Sequence, residues 1–190
     1  LAWSRGLGDV YKRQDLGILG ENVLLEKKAA VETILPLGFA KCKLSLAIPR
    51  NEQYPGLRYW EGKKIATTYT NILSNFLDKN NIKAEIHSIS GSVEIAPGIG
   101  LAQGICDIVS TGSTLISNGL KAVEVVLNSQ AVLIANQNLE TEKKQILDKL
   151  LFRIKAKQKA ANNKYILLNA PDSKIDEICA LLPGMKSPSV

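Results

Sequence analysis

Apolar and polar positions change period several times along the chain, and each change marks an element. Between Asn71 and Asn80, Ile72, Leu73, Phe76 and Leu77 recur at a spacing near 3.6, which predicts a helix. Glu140–Lys159 repeats that period with Ile146, Leu147, Leu150, Leu151 and Ile154, opposite a Lys-rich face that reads as solvated surface. Ile82–Ile89 alternates as a half-buried strand does. Apolar runs predict further strands from Asp15 to a turn at Gly20, within Leu35–Pro49, over Lys63–Tyr69, Ile105–Val109, Val123–Leu127 and Ala131–Ala135, and over Asn163–Pro171. A helix follows Gly20, and a last one is expected over Asp172–Leu182. Strand–helix–strand alternation builds a partly parallel α/β sheet. Ligands gather outside the carboxyl ends of such strands, where Thr67–Tyr69 and Thr111–Thr114 fall.

The chemistry concentrates between Glu94 and Leu115. Strand Ile105–Val109 runs into Ser110-Thr111-Gly112-Ser113-Thr114, and a short amphipathic helical piece follows. Backbone N–H groups and hydroxyls at such a junction suit an anion, and Gly112 permits close approach or a positive φ. Glu94 and Asp107 stand ahead of the loop in sequence and suit ribose hydroxyls or a metal ion, so the combination suggests a sugar phosphate. Taken alone, the loop reads equally well as an ordinary turn capped by Ser or Thr.

Composition narrows the function classes. With 190 residues, 45% hydrophobic and 22% charged, the chain has the make-up of a soluble protein of one or two domains. No run reaches the roughly 20 apolar residues that span a bilayer. The net charge of +6 lacks an Arg/Lys stripe interleaved with aromatics, which argues against nucleic acid and fits phosphorylated substrates. Cys42, Cys106 and Cys179 are odd in number and widely spaced in apolar settings, as buried thiols in a reducing cytoplasm are. His87, the only histidine, reads as a surface or capping residue rather than a metal ligand or base.

Glu94, Gly100, Ala102, Ile105, Asp107, Ile108, Thr111, Gly112, Thr114 and Leu115 stand at fixed spacings that resemble the signature of the ATP phosphoribosyltransferase family. The likeness extends from Asp15 to Val190: Asp15-Leu-Gly-Ile-Leu-Gly-Glu resembles the family's first-domain turn near the ATP site, and Leu181-Leu-Pro-Gly…Pro188 resembles the opening of the regulatory domain of long-form members. The resemblance implies a two-domain type II periplasmic-binding-protein-like fold. Residues 15–44 and 135–160 would form a partial, ATP-side domain I, and 45–134 a phosphoribosyl-pyrophosphate-side domain II. Residues 161–190 would begin a ferredoxin-like regulatory domain III, and residues 1–14 match nothing in the family and read as a non-native leader. Both ends are expected to be cut, and the fragment to be inactive alone.

The implied reaction moves phosphoribosyl from phosphoribosyl pyrophosphate to N1 of ATP, the first step of histidine biosynthesis, with Mg²⁺ assisting and pyrophosphate leaving. By resemblance, Ser110, Thr111, Gly112, Ser113 and Thr114 hold the 5′-phosphate. Glu94 and Asp107 hold ribose hydroxyls or the metal-bound diphosphate, and Gly20 and Glu21 lie on the ATP side. No covalent nucleophile is implied. Long-form members are cytoplasmic homo-hexamers inhibited by histidine, with no membrane or nucleic-acid partner. Departures from the family pattern are Ala40 for Gly, Lys43 for Arg, Thr70 for Pro, Gly98 for Arg and Gln103 for Asp. The competing reading is a non-catalytic solute- or effector-binding module on the same fold.

Overall fold

The computed structural model describes residues 15–109, 112–161 and 168–181. They divide into two compact units, with the boundary between Glu140 and Thr141.

The first unit is α/β and holds two sheets. Its elements in chain order are β1 (Leu16–Gly20), α1 (Glu21–Lys27), β2 (Glu32–Pro36), β3 (Cys42–Pro49), β4 (Lys64–Thr67), α2 (Thr70–Lys79), β5 (Glu85–Ser88), β6 (Gly104–Val109), α3 (Ser113–Ser117), β7 (Leu120–Ser129) and β8 (Ala131–Ala135). The smaller sheet is antiparallel, in the order β1-β8-β2. The larger runs β5-β4-β6-β3-β7, with β4 parallel to β5 and β6, and β3 antiparallel to both β6 and β7. This topology fixes the location of any site. The carboxyl ends of β4, β5, β6 and β7 and the start of β3 all lie along one edge of the larger sheet. Both chain crossings between the sheets, β2 to β3 and β7 to β8, leave from that edge.

β3 reads as a nearly continuous apolar run because both of its faces are covered. Leu44, Leu46 and Ile48 join Trp60, Ile65, Leu73 and Cys106 in one cluster. Ala47 enters the other, with Ala66, Val93, Ala102, Ile105 and Leu115. Expected elements shift where local chemistry intervenes. β5 is shorter than the alternation of Ile82–Ile89 suggests. Asn81 takes a left-handed φ of 55° to end α2, and the Ile82 N–H returns to the Leu77 carbonyl at 3.0 Å. Ile82 therefore packs as the apolar residue of a helix stop. β2 is an element the pattern hides: it ends in Pro36, and its register slips between Thr33 and Leu35. β7, Leu120–Ser129, is longer than the expected Val123–Leu127.

The two sheets are joined by one face of α1. Asn22 and Glu26, one turn apart, point the same way. The Asn22 N–H donates to Ser129 Oγ at 3.0 Å, Ser129 Oγ donates back to Asn22 Oδ1 at 2.9 Å, and Asn22 Nδ2 donates to the Tyr69 hydroxyl at 3.2 Å. The Glu26 carboxylate accepts from Thr70 Oγ1 (3.2 Å), Asn71 N (3.0 Å) and Ile72 N (3.1 Å). It thereby caps α2, whose own N-cap residue Tyr69 makes no side-chain cap. Glu26→Ala is expected to strip three charge-assisted bonds and cost about 2 kcal/mol, lowering Tm by about 4–8 °C. Glu26→Gln should lose less than half of that. Thermal unfolding of the two variants checks it, and equal losses would sink the capping role.

The second unit contains α4 (Thr141–Ala161), a 3₁₀ turn (Asp172–Lys174) and α5 (Ile175–Leu181). Along the expected apolar stripe of α4 only Leu147 is buried, and Ile146 and Leu150 are exposed. Of the strand expected over Asn163–Pro171, 163–167 lie outside the described residues, and Leu168–Pro171 is not strand. Residues 1–14 and 182–190, where the leader and the regulatory-domain opening were expected, also lie outside them. No helix among the described residues is long and apolar enough to cross a membrane.

Candidate active site

The site edge begins with Thr67, buried at the end of β4. Its Oγ1 donates to the Cys106 carbonyl at 2.6 Å and accepts the Tyr69 N–H at 2.9 Å. This single hydroxyl locks the end of β4 to β6 and sets the direction of Tyr69. Burial raises the Tyr69 pKa, the Asn22 bond lowers it, and Asp107, Cys42 and Glu26 raise it further.

Asp107 is half-buried near the end of β6, and Glu94 sits on the 3₁₀ turn Val93–Ile95. Burial pushes the Asp107 carboxyl above its ordinary value, the Ile108 N–H (2.7 Å to Oδ1) pulls it down, and the Glu94 charge raises it again. Glu94 thus lies within electrostatic range of Asp107. Among the described residues no group of three or more His, Cys, Asp or Glu side chains could hold a metal ion. His87 pairs with Glu85 at 2.9 Å, as a surface histidine does.

Asp107 and Val109 share a face of the sheet, and across the ladder they face Ser45 and Lys43, while Lys43 also faces Asn128. On that face opens a cavity of about 580 Å³ lined by Lys41, Cys42, Lys43, Val109, Gly112, Asn128, Ser129 and Gln130. Its size is within the range of small-molecule sites. Gly112, at φ 77°, is the N-cap of α3, a left-handed conformation that glycine adopts without strain. Ser113 and Thr114 are exposed, and Ser110 and Thr111 lie outside the described residues. Gly20 and Glu21 reach the same neighbourhood, the Glu21 N–H donating to the Gln130 carbonyl at 2.9 Å.

Thr67 was expected only at a strand end where ligands gather, and three groups here were not singled out by sequence: Lys41, Asn22 and the Asn128–Gln130 crossing. Of these only Lys41 leaves a signal, as a charge beside Lys43 just ahead of a buried strand. Cys42, expected buried, is half-buried on the cavity wall, whereas Cys106 is buried and its thiol pKa is raised chiefly by that burial.

Residues 10–156 match the family described as ATP phosphoribosyltransferase. The chain belongs to that family. Residues 160–190 match its C-terminal domain. The ATP phosphoribosyltransferase of Bacteroides thetaiotaomicron is 59% identical over 176 residues, and that of Parabacteroides distasonis 60%. Each alignment covers 93% of this chain and 62% of the relative, so the chain spans 62% of the length of these curated relatives. Among solved structures, the ATP phosphoribosyl transferase (HisG:HisZ) complex from Thermotoga maritima is 25% identical with a TM-score of 0.67, covering 79% of this chain and 73% of that one. A substrate binding protein of an amino acid ABC transporter matches at 12% identity and a TM-score of 0.59, over 82% of this chain and 70% of its own. That likeness bears on the fold alone, and it is the periplasmic-binding-protein-like fold expected from the signature.

Proposed function

We propose that this chain carries the phosphoribosyl pyrophosphate side of an ATP phosphoribosyltransferase, the enzyme that transfers phosphoribosyl to N1 of ATP in histidine biosynthesis. Residues 15–44 with 135–160 are the ATP side, 45–134 the sugar-phosphate side, and 161–190 open the regulatory domain of a long-form, homo-oligomeric, histidine-sensitive protein. The observation that supports the reading is Asp107 near the end of β6 and Gly112 just beyond it, with Glu94 within electrostatic range of Asp107, in a chain of this family.

In this reading Ser110, Thr111, Gly112, Ser113 and Thr114 hold the 5′-phosphate. The helix after the loop, Ser113–Ser117, is short, so the backbone N–H groups and hydroxyls do most of the binding. Asp107 and Glu94 accept hydrogen bonds from ribose hydroxyls. Their charge also favours the cationic character that develops at the anomeric carbon as the leaving group departs. The N1 lone pair forms the new C–N bond while the anomeric C–O bond breaks with its electron pair on pyrophosphate. The proton lost from the adenine amino group passes to solvent. Gly20 and Glu21 lie towards the nucleotide.

Asp107 and Glu94 are hard oxygen donors that could touch a Mg²⁺ ion only at the ribose end of the diphosphate. Among the described residues no group of three or more His, Cys, Asp or Glu could hold the ion by itself, so it would arrive on substrate phosphates. Mg²⁺ so bound neutralises phosphate charge and orients the diphosphate. The binding-module alternative rests on fold likeness alone and has no site observation in its favour.

Titration calorimetry of phosphoribosyl pyrophosphate with Mg²⁺ into the chain and into Asp107→Asn tests the reading. Saturable binding is expected in the first and at least about tenfold weaker binding in the second. The variant should nonetheless be as stable or more stable. Because burial and Glu94 raise the Asp107 carboxyl, its ionisation destabilises the fold as pH rises from the unfolded pKa through the folded one. Asn avoids that loss, so its advantage should vanish below about pH 4. Unchanged affinity in a folded Asp107→Asn would remove Asp107 from the site.

A further inference from the structure

We infer that Lys41 and Lys43 form the diphosphate-binding wall of this cavity, opposite Gly112; the inference rests on the phosphoribosyl pyrophosphate reading above. Both side chains are exposed and line the cavity with Gly112, Asn128 and Gln130. Neither has a hydrogen bond or ion pair with another described residue, whereas Lys64, on the same sheet, lies 3.9 Å from Glu85. Two ammonium groups two residues apart, with no counter-charge among the described residues, repel each other, and a polyanion between them relieves that. Lys43 is held rigidly at its backbone, paired on one side with Val109 of β6 and on the other with Asn128 of β7. The ladder thus sets one lysine at the junction of the strand that enters the phosphate loop and the strand that crosses to the ATP side.

Charge divides the ligand along this edge. Asp107 and Glu94 repel phosphate and accept hydroxyls, so the ribose belongs with them and the remaining phosphates belong away from them. The 5′-phosphate takes the uncharged loop at Gly112, which leaves the diphosphate, the most highly charged group, for the two lysines. As the anomeric C–O bond breaks, the electron pair and the added negative charge fall on the departing pyrophosphate, where Lys41 and Lys43 stabilise it. The amide side chains of Asn128 and Gln130 supply neutral donors on the same wall. Lysine binds phosphate as a point charge, so the wall is tolerant of geometry, and an arginine at position 43 would add a bidentate fork.

The test compares phosphoribosyl pyrophosphate with ribose 5-phosphate, which keeps the ribose and 5′-phosphate and lacks the diphosphate. Both are titrated, with Mg²⁺, into the full chain and into Lys41→Met, Lys43→Met and Lys43→Arg. Each Met variant is expected to weaken phosphoribosyl pyrophosphate about tenfold and ribose 5-phosphate less than about threefold. Lys43→Arg should bind phosphoribosyl pyrophosphate at least as well as Lys43. A second readout uses Cys42 between the lysines: its alkylation, followed peptide by peptide, should be slowed by phosphoribosyl pyrophosphate more than by ribose 5-phosphate. If the Met variants lose both ligands equally, or neither, the diphosphate assignment falls while the proposed function stands. If the unaltered chain binds neither ligand, the proposed function and the diphosphate wall fall together.

Discussion

Gly112→Val is expected to weaken phosphoribosyl pyrophosphate binding about a hundredfold or more while leaving the chain folded. Gly112 sits at φ 77°, and a Cβ there would meet nothing closer than a Val109 methyl at 4.0 Å. The substitution is therefore spared steric overlap and acts through the backbone alone. A β-branched residue at positive φ costs more than the roughly 1–2 kcal/mol of an ordinary left-handed residue. Relief of that strain would move the backbone N–H groups at Gly112 and Ser113 away from the proposed phosphate position. Gly112→Asn separates the two ideas, because Asn tolerates the left-handed region. Calorimetry should find Gly112→Asn within about tenfold of the parent, and thermal unfolding should find both variants within about 2 kcal/mol of it. Equal binding by the Val variant would show that the loop backbone is not the phosphate cradle.

How much of this site was legible beforehand depends on the separation of its parts. Asp107 and Gly112 stand at the end of one strand and just beyond it, so they are neighbours in sequence, and Glu94 belongs to the same motif upstream. The α1 contacts are different. Asn22 meets Ser129 across 107 positions, and Glu26 meets Asn71 across 45. Nothing in either stretch announces a partner, and Glu26 reads as one more exposed helix charge. The apolar periods located β3, β6 and β8 because buried strands carry a strong pattern, while β2 was hidden by Pro36 and a register slip.

The departures from the family pattern also acquire local reasons. Gln103 accepts the Lys64 N–H at 2.8 Å through its side chain, and its own N–H returns to the Lys64 carbonyl at 3.0 Å, pinning β4 beside the start of β6. An Asp side chain is one methylene shorter. Thr70 gives up the preset φ of a proline and supplies instead a hydroxyl to Glu26. Ala40 takes φ 50°, a conformation that glycine enters more easily, so this departure carries a backbone strain just ahead of Lys41. Nothing in the structure explains Gly98.

The largest effect on stability is expected at Gly104, which opens β6. A Cβ built there would lie 2.5 Å from Trp60 Cη2, 2.8 Å from Trp60 Cζ3 and 2.6 Å from the Ala47 carbonyl oxygen. Real Cβ atoms do not approach so closely, and neither neighbour can yield easily. Trp60 is fully buried against Tyr59 (ring centroids 5.0 Å apart, edge to face), and the Ala47 carbonyl belongs to a strand paired on both sides. Overpacking of this kind costs about 3 kcal/mol, so Gly104→Ala should lower Tm by about 6–12 °C. Shrinking Trp60 to Leu removes one clash and leaves the other. The double variant should therefore be more stable than the sum of the two single losses, yet not as stable as Trp60→Leu alone. Strict additivity in that cycle would mean that Gly104 and Trp60 do not share the space, and that β3 and β6 are less tightly joined than their pairing requires. The consequence reaches the site, since the same β3–β6 ladder that begins beneath Gly104 ends at Lys43 and Val109.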